Sequence, residues 1–534
     1  MKYIAKFAFT AVLTAASLIA SAQIKMTQSQ KLKIAEMAVN EYYVDTVNEE
    51  KLVEDAIRGM LNELDPHSSY STPEETKDLN EPLDGNFSGI GIQFNMKNDT
   101  LYVLQTIAGG PSERVGIVAG DRIIAANDTA IAGVKMKNSD IMKRLRGPKG
   151  TKVEVTVLRR NQPEPIRFRI TRDDIPLFSV DAAYMIDSKT GYIRLSRFAK
   201  TSYDEVMDAA TKLKKQGMKQ LIFDISDNGG GYLEIATQIA NEFLDKDQLI
   251  VYTEGRRSPR HEERANGHGK FRDIDLVVVV NQYSASASEI LSGAIQDWDR
   301  GVVVGRRTFG KGLVQRPFPF PDGSMIRLTI SRYYTPSGRC IQKPYGKNHE
   351  EYSMDIYNRY TSGELYSADS IHFSDSLKVT TLRNQRTIYG GGGIMPDIFV
   401  PIDTTEYSKY YRDIVAKGVL NQYIIDYVDK NRTAIKATYG NFNDYNAKFQ
   451  ISDEMLENLK ANALNDSIGF NQKDFDTSKS LICDIMKALI ARDIFDNADY
   501  YKVMNHRNKL VAEALAVIND KQRYKTIISS QKKQ

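Results

Sequence analysis

The chain has 534 residues, 41% of them hydrophobic and 26% charged. That is too long for one hydrophobic core and predicts about three or four domains of ordinary globular composition. With 72 Lys and Arg against 68 Asp and Glu, the formal charge of +4 gives no basis for expecting a nucleic-acid partner.

Residues 1–22 differ in kind from the rest. Lys2 and Lys6 precede an apolar run over 7–20, and Ala20, Ser21 and Ala22 form a small-x-small site. This pattern predicts a secretory signal peptide cut before Gln23. The alternative, a membrane anchor, needs a longer apolar run of roughly 20 residues. Residues 23–84 follow as a helical region, with helical apolar spacing over 31–64 that stops at Asp65, Pro66 and His67. Short alternating strands punctuated by glycine occupy 85–178, as at Ile90, Ile92 and Phe94 and at Val153, Val155 and Val157. From 179 to 400 buried strands at 221–223, 276–280 and 302–304 alternate with helices at 203–216 and 288–297, which predicts an α/β core. A polar stretch at about 340–386 reads as an insertion, and 401–534 as a C-terminal helical extension, most clearly at 500–519. Cys340 and Cys483 could bridge only if the fold brings them together.

Three segments carry chemistry. The strand 276–280 runs into Ser284, Ala285, Ser286, Ala287, Ser288 and Glu289 and then a helix. Small residues at such a turn let a hydroxyl project while free N–H groups at the helix start attract negative charge; Ser288 capping the helix is the plainer reading. After the strand 302–304, Lys311 stands between Gly310 and Gly312. An amine desolvated in such a setting gives up its proton more readily and can take one from a serine. Gly305, Gly310 and Lys311 also fit a phosphate loop, but Gly312 replaces the hydroxyl residue that would hold Mg²⁺. The third segment, residues 223–231, ends in Gly229, Gly230 and Gly231, where close backbone approach is permitted.

Together these segments resemble the carboxyl-terminal processing (tail-specific) protease family over about residues 42–400. The resemblance implies a crotonase-like ββα protease core carrying a PDZ domain. It selects Ser286 as nucleophile, because the family's lysine lies 25 residues on, at Lys311. It further implies Gln315 as orienter of the amine, Asp297 in a supporting role, and backbone N–H groups of Ala287 and of Gly230 or Gly231 as oxyanion donors. One departure is visible: Gly229 stands where the family has proline. Gly89, Ile90, Gly91 and Ile92 resemble the PDZ carboxylate-binding loop, beside an apolar pocket expected from Ile90, Ile92 and the helix at 141–145.

The implied protein is an exported serine endopeptidase acting on polypeptides with free C-termini, needing no cofactor or metal. The periplasm is the expected compartment, with soluble or peripherally membrane-associated forms and extracellular release all open. A homo-oligomer or an adaptor protein is also left open. A catalytically silent PDZ scaffold or chaperone is the rival from another class. A Ser–His–Asp hydrolase is the second rival, and it requires a histidine near Ser286 in space. None of the six histidines stands in a metal-ligand spacing.

Overall fold

The computed structural model describes residues 26–160, 162–346 and 349–529. The expected signal peptide and its cut lie outside the described residues. Residues 26–70 form a unit of their own. The helical run expected over 31–64 is two helices there, Gln28–Tyr42 and Glu49–Asn62. The second is restarted by Asn48, whose side chain accepts from the N–H of Lys51 at 3.0 Å.

In the second unit, Thr72 caps the helix Pro73–Asp84 in a capping box with Glu75, and Gly85 ends it at φ +78°. The next segment is an antiparallel sheet of five main strands, in the order Ile92–Lys97, Thr100–Thr106, Arg122–Ala126, Lys152–Leu158 and Ile166–Thr171. Val153, Val155 and Val157 alternate inward and are at most 1% exposed. Ile90 does not share the strand of Ile92 and Phe94. It sits in the turn before that strand, because Gly91 adopts φ +73°.

The α/β core expected over 179–400 is a six-stranded sheet in the order Val180–Met185, Thr190–Leu195, Gln220–Asp224, Asp275–Val280, Val302–Gly305 and Ile398–Phe399. The first pair is antiparallel and the rest are parallel. Its central strands are unbroken apolar runs because both faces are covered. Leu221, Phe223, Val278 and Val303 pack under the helices Ser202–Lys215, Leu233–Asn241 and Ala287–Asp297. The intervening Ile222, Val277, Val279, Val302 and Val304 face the helix Lys509–Asn519 and Tyr524. Residues 509–528 therefore complete the core, whereas the sequence suggested a mere extension. Tyr524 accepts from the N–H of Leu276 at 3.1 Å, and its hydroxyl lies 3.0 Å from the Leu276 carbonyl.

The rest of the tail, from the helix Lys409–Ala416 to the helix Asn497–Met504, has its own apolar core. The polar stretch 340–386 folds into two short helices, His349–Ser353 and Asp355–Thr361, two 3₁₀ turns and a strand of the hairpin Lys378–Thr380/Thr387–Tyr389. Both cysteines are free thiols, in this stretch and in the helix Gln472–Ile494.

Candidate active site

Three loops leave the carboxyl ends of adjacent parallel strands. They are the glycine loop 225–231 after Gln220–Asp224, the serine turn 281–286 after Asp275–Val280, and the lysine loop 306–312 after Val302–Gly305. Ser286 sits at the start of the helix Ala287–Asp297 with φ +57° and ψ −112°. A non-glycine residue held there costs roughly 1–3 kcal/mol, so the surroundings must impose it.

The neighbouring serines do other work. Ser284 is fully buried; its hydroxyl donates to the Ile225 carbonyl at 2.8 Å and accepts from the N–H of Asn281 at 2.9 Å. Ser288 is equally buried and donates to the Asn228 carbonyl at 2.8 Å. Ser286 alone of the three is partly exposed.

Glu289, three residues on and wholly buried, joins the serine turn to the lysine loop. One carboxylate oxygen accepts from the N–H groups of Ser286 at 2.8 Å and Lys311 at 2.9 Å. The other accepts from the N–H of Gly310 at 2.7 Å and the hydroxyl of Thr308 at 2.5 Å. Burial raises its pKa above the usual carboxylate value while these donors pull against the rise. The buried Tyr333 hydroxyl donates to the Ser286 carbonyl at 3.0 Å and to the Lys311 carbonyl. Two side chains thus hold the backbones of Ser286 and Lys311 in common.

The polar stretch 340–386 supports the lysine loop from outside. Arg359, 2% exposed, donates to the carbonyls of Thr308 at 2.8 Å and Phe309 at 3.1 Å. Gln342 accepts from the N–H of Gly312 at 2.8 Å, and the Lys343 N–H donates to the Gly310 carbonyl at 2.9 Å. Sequence reasoning missed Tyr333 and Arg359 and assigned Glu289 no part in the site. The glutamate three residues after Ser286 was the one local signal, since a capping box has that spacing.

The glycine loop approaches Ser286 closely. A Cβ on Gly230, whose φ is +103°, would lie 2.9 Å from Ser286 Cβ and 3.0 Å from the Ala287 nitrogen. The Gly230 N–H is already donated to Asn228 Oδ1 at 2.9 Å. Those of Gly231 and Ala287 donate to nothing among the described residues. Gln315 lies on the strand Leu313–Pro319 and donates to Thr329 Oγ1 at 3.1 Å. Asp297 ends the helix that Ser286 begins, about 16 Å away at 1.5 Å per residue. Fully buried, it pairs with Arg339 at 2.7 Å and accepts from the Ser337 N–H at 2.8 Å. Its place is in the packing of the 335–339 turn, away from Ser286.

In the PDZ segment, Gly89 ends a strand paired with Asp173–Pro176. A Cβ on Gly91 would lie 2.9 Å from Ile175 Cδ1. Ile90 is 3% exposed, and Ile141 and Leu145 are buried with it in the segment's own core. The loop therefore offers its backbone, and the Ile90 side chain does not line an open pocket. Among the described residues no group of His, Cys, Asp and Glu is arranged to hold a metal.

The chain resembles known proteins along most of its length. The model of peptidase family S41 matches residues 189–350 and that of the PDZ domain residues 88–170. The N-terminal domain of the activating protease CtpB matches residues 8–76, and a family of unknown function matches residues 410–496. A "Carboxy-terminal-processing protease" of Bartonella bacilliformis is 34% identical over 352 residues, covering 63% of this chain and 79% of that protein. A "Probable CtpA-like serine protease" of Staphylococcus aureus (strain MRSA252) is 37% identical over 305 residues, 57% of this chain. The match spans 60% of that relative's own length. Among solved structures, a photosystem II D1 C-terminal processing protease is 31% identical, covering 58% of this chain and 90% of that one with a TM-score of 0.33.

Proposed function

The chain belongs to the carboxy-terminal-processing proteases, and on that premise we propose that it is a serine endopeptidase in which Ser286 is the nucleophile and Lys311 the general base. The observation that carries the assignment is the shared anchor at Glu289, which binds the N–H of Ser286, Gly310 and Lys311 together. The hydroxyls of Ser284 and Ser288 are committed to buried backbone carbonyls, which favours Ser286 over both.

In this reading the neutral Lys311 amine takes the Ser286 proton as Oγ attacks the scissile carbonyl. The resulting alkoxide forms beside the first turn of the helix Ala287–Asp297, where the Ala287 N–H is available, and beside the glycine loop, where Gly231 has the amide not engaged by Asn228. The protonated Lys311 then donates to the leaving amine. Lys311, neutral again, next takes a proton from a water as it attacks the acyl-enzyme, and returns that proton to Ser286 Oγ as the acid product leaves. Gln315 steadies the amine, and Asp297 contributes by bracing the far end of the serine's helix. Since the base acts only when neutral, activity rises with pH, and no metal chelator should affect it.

Substrates are polypeptides with free C-termini, gripped by the N–H groups of residues 89–92 while the chain adds to the edge strand Ile92–Lys97. Export to the bacterial envelope follows from the N-terminal signal pattern. Among the described residues no helix is long and apolar enough to cross a membrane.

Ser286→Ala and Lys311→Ala should each abolish cleavage of an unfolded reporter while leaving the urea midpoint unchanged. Ser284→Ala should instead lower the midpoint, because it strips a buried hydrogen bond, and should retain turnover in the folded fraction. Equal loss of turnover from folded Ser284→Ala and Ser286→Ala protein would falsify the assignment.

A further inference from the structure

A cavity of about 560 Å³ lies where the carboxyl ends of the central strands meet the helical tail. Its size is in the range of small-molecule sites, and this edge of a parallel sheet is where α/β folds bind ligands. Neither Ser286, Lys311, Gln315 nor the glycines beside Ser286 line it.

Three of the four lining bases are held in ion pairs, Arg194 also by Asp224 and Arg507 also by Asp484. Of the lining carboxylates, Asp227 pairs with Arg194 at 3.0 Å, Asp403 with Lys509 at 2.6 Å and Glu406 with Arg507 at 2.6 Å. Each of those bases lines the cavity too. The fourth lining base, Arg306, is only 8% exposed. Its Nε donates to Gln282 Oε1 at 2.8 Å and its Nη1 to the Val400 carbonyl at 3.2 Å. It pairs with no carboxylate among the described residues, and burial pulls its pKa below the usual arginine value. The charge of Asp227 reaches it, but that carboxylate is paired with Arg194; a buried guanidinium with no ion pair of its own is costly, and its planar fork matches carboxylate or phosphate oxygens.

We infer that this cavity is a binding site for a small anionic ligand, bearing a carboxylate or a phosphate, whose charge is taken by Arg306. The body of the ligand would lie against Tyr407 and Tyr501, which line the same space. The site reaches the roots of all three loops described above. Asp227 opens the glycine stretch, Gln282 lies just ahead of Ser286, and Arg306 just ahead of Lys311. An occupant therefore touches the bases of the loops without entering the space beside Ser286.

The test is calorimetric titration of the full chain carrying Ser286→Ala, so the outcome does not depend on whether the protein cleaves peptides. Inorganic phosphate and succinate are the two probes, at ionic strength held constant with sodium chloride. At least one should bind saturably, and the stronger of the two identifies the anion class. Arg306→Gln should weaken that binding at least tenfold. So should Tyr407→Glu, which introduces a carboxylate within electrostatic reach of Arg306 at a position 45% exposed. Gly91→Glu, in the PDZ loop, should leave it intact. Should Arg306→Gln fail to fold, Tyr407→Glu decides alone. No saturable binding of either probe, or binding undiminished in folded Tyr407→Glu protein, overturns the inference, as does loss of binding in Gly91→Glu alone.

Discussion

Replacing Glu289 by glutamine changes one atom at the point where the serine turn and lysine loop are joined. The amide must place its NH₂ on one side. Facing Ser286 and Lys311, it would confront two backbone N–H donors. Facing Gly310, it confronts one, together with the Thr308 hydroxyl, which can reorient. The second placement is cheaper and leaves two buried donors unmet, the Gly310 N–H and one N–H of the new amide, at about 1–3 kcal/mol each. Removal of a buried charge offsets part of that cost, so the change in stability will be smaller than the change in geometry. Once Gly310 is repelled, Lys311 moves relative to Ser286, and a displacement of about 1 Å lowers turnover on the order of 100-fold. Glu289→Gln is therefore expected to lose far more kcat/KM than urea resistance. Glu289→Ala, which strands three N–H groups and leaves a void, should lose both. Because the folded-state pKa of Glu289 is raised, its linked stability is present below the unfolded carboxylate value and declines as pH rises through the raised one. The stability of wild type relative to Glu289→Gln should fall accordingly between acid and neutral pH. Wild-type kcat/KM in Glu289→Gln would refute the argument, since the two loops would then be held by something else.

Three further outcomes follow from the packing. Arg359→Leu removes the donors to the Thr308 and Phe309 carbonyls, so kcat should fall about tenfold or more while circular dichroism stays native. Ending the chain after Asn508 would expose Ile222, Val277, Val279, Val302 and Val304. At about 1.5–3 kcal/mol each, this approaches the whole stability of a domain, so the truncated protein should be insoluble or bind a hydrophobic dye, and a soluble, cooperatively melting product would contradict the assigned core. For Asp187, burial alone would raise the pKa, but the N–H groups of Lys189 and Thr190, the Asn519 amide and the Thr190 hydroxyl hold it down from 3.8 to about 2. That stability is present above the unfolded value and lost as pH falls from about 4 towards 2, so Asp187→Asn should flatten the acid side of a melting-temperature profile in that window.

The local chemistry of this protein was legible in its residues. Apolar runs at 221–223, 276–280 and 302–304 could only be strands buried on both faces, and a run of small residues after one of them marked the turn that bears Ser286. Those signals act over a few residues, within one strand or one turn of helix. What joins distant segments was not legible. Glu289 looks like any helix-capping glutamate until the fold sets residues 308–311 against it, and Tyr333 is one aromatic in a strand until its hydroxyl meets two carbonyls. The polar stretch 340–386 shows no periodic apolar pattern, because its contribution is hydrogen bonds from Arg359, Gln342 and Lys343 to a loop that is close only in space. Likewise, amphipathic spacing makes 509–519 a helix, but not which surface it covers. Only the exposed second face of the sheet, waiting for an apolar partner more than 200 residues further along, decided that.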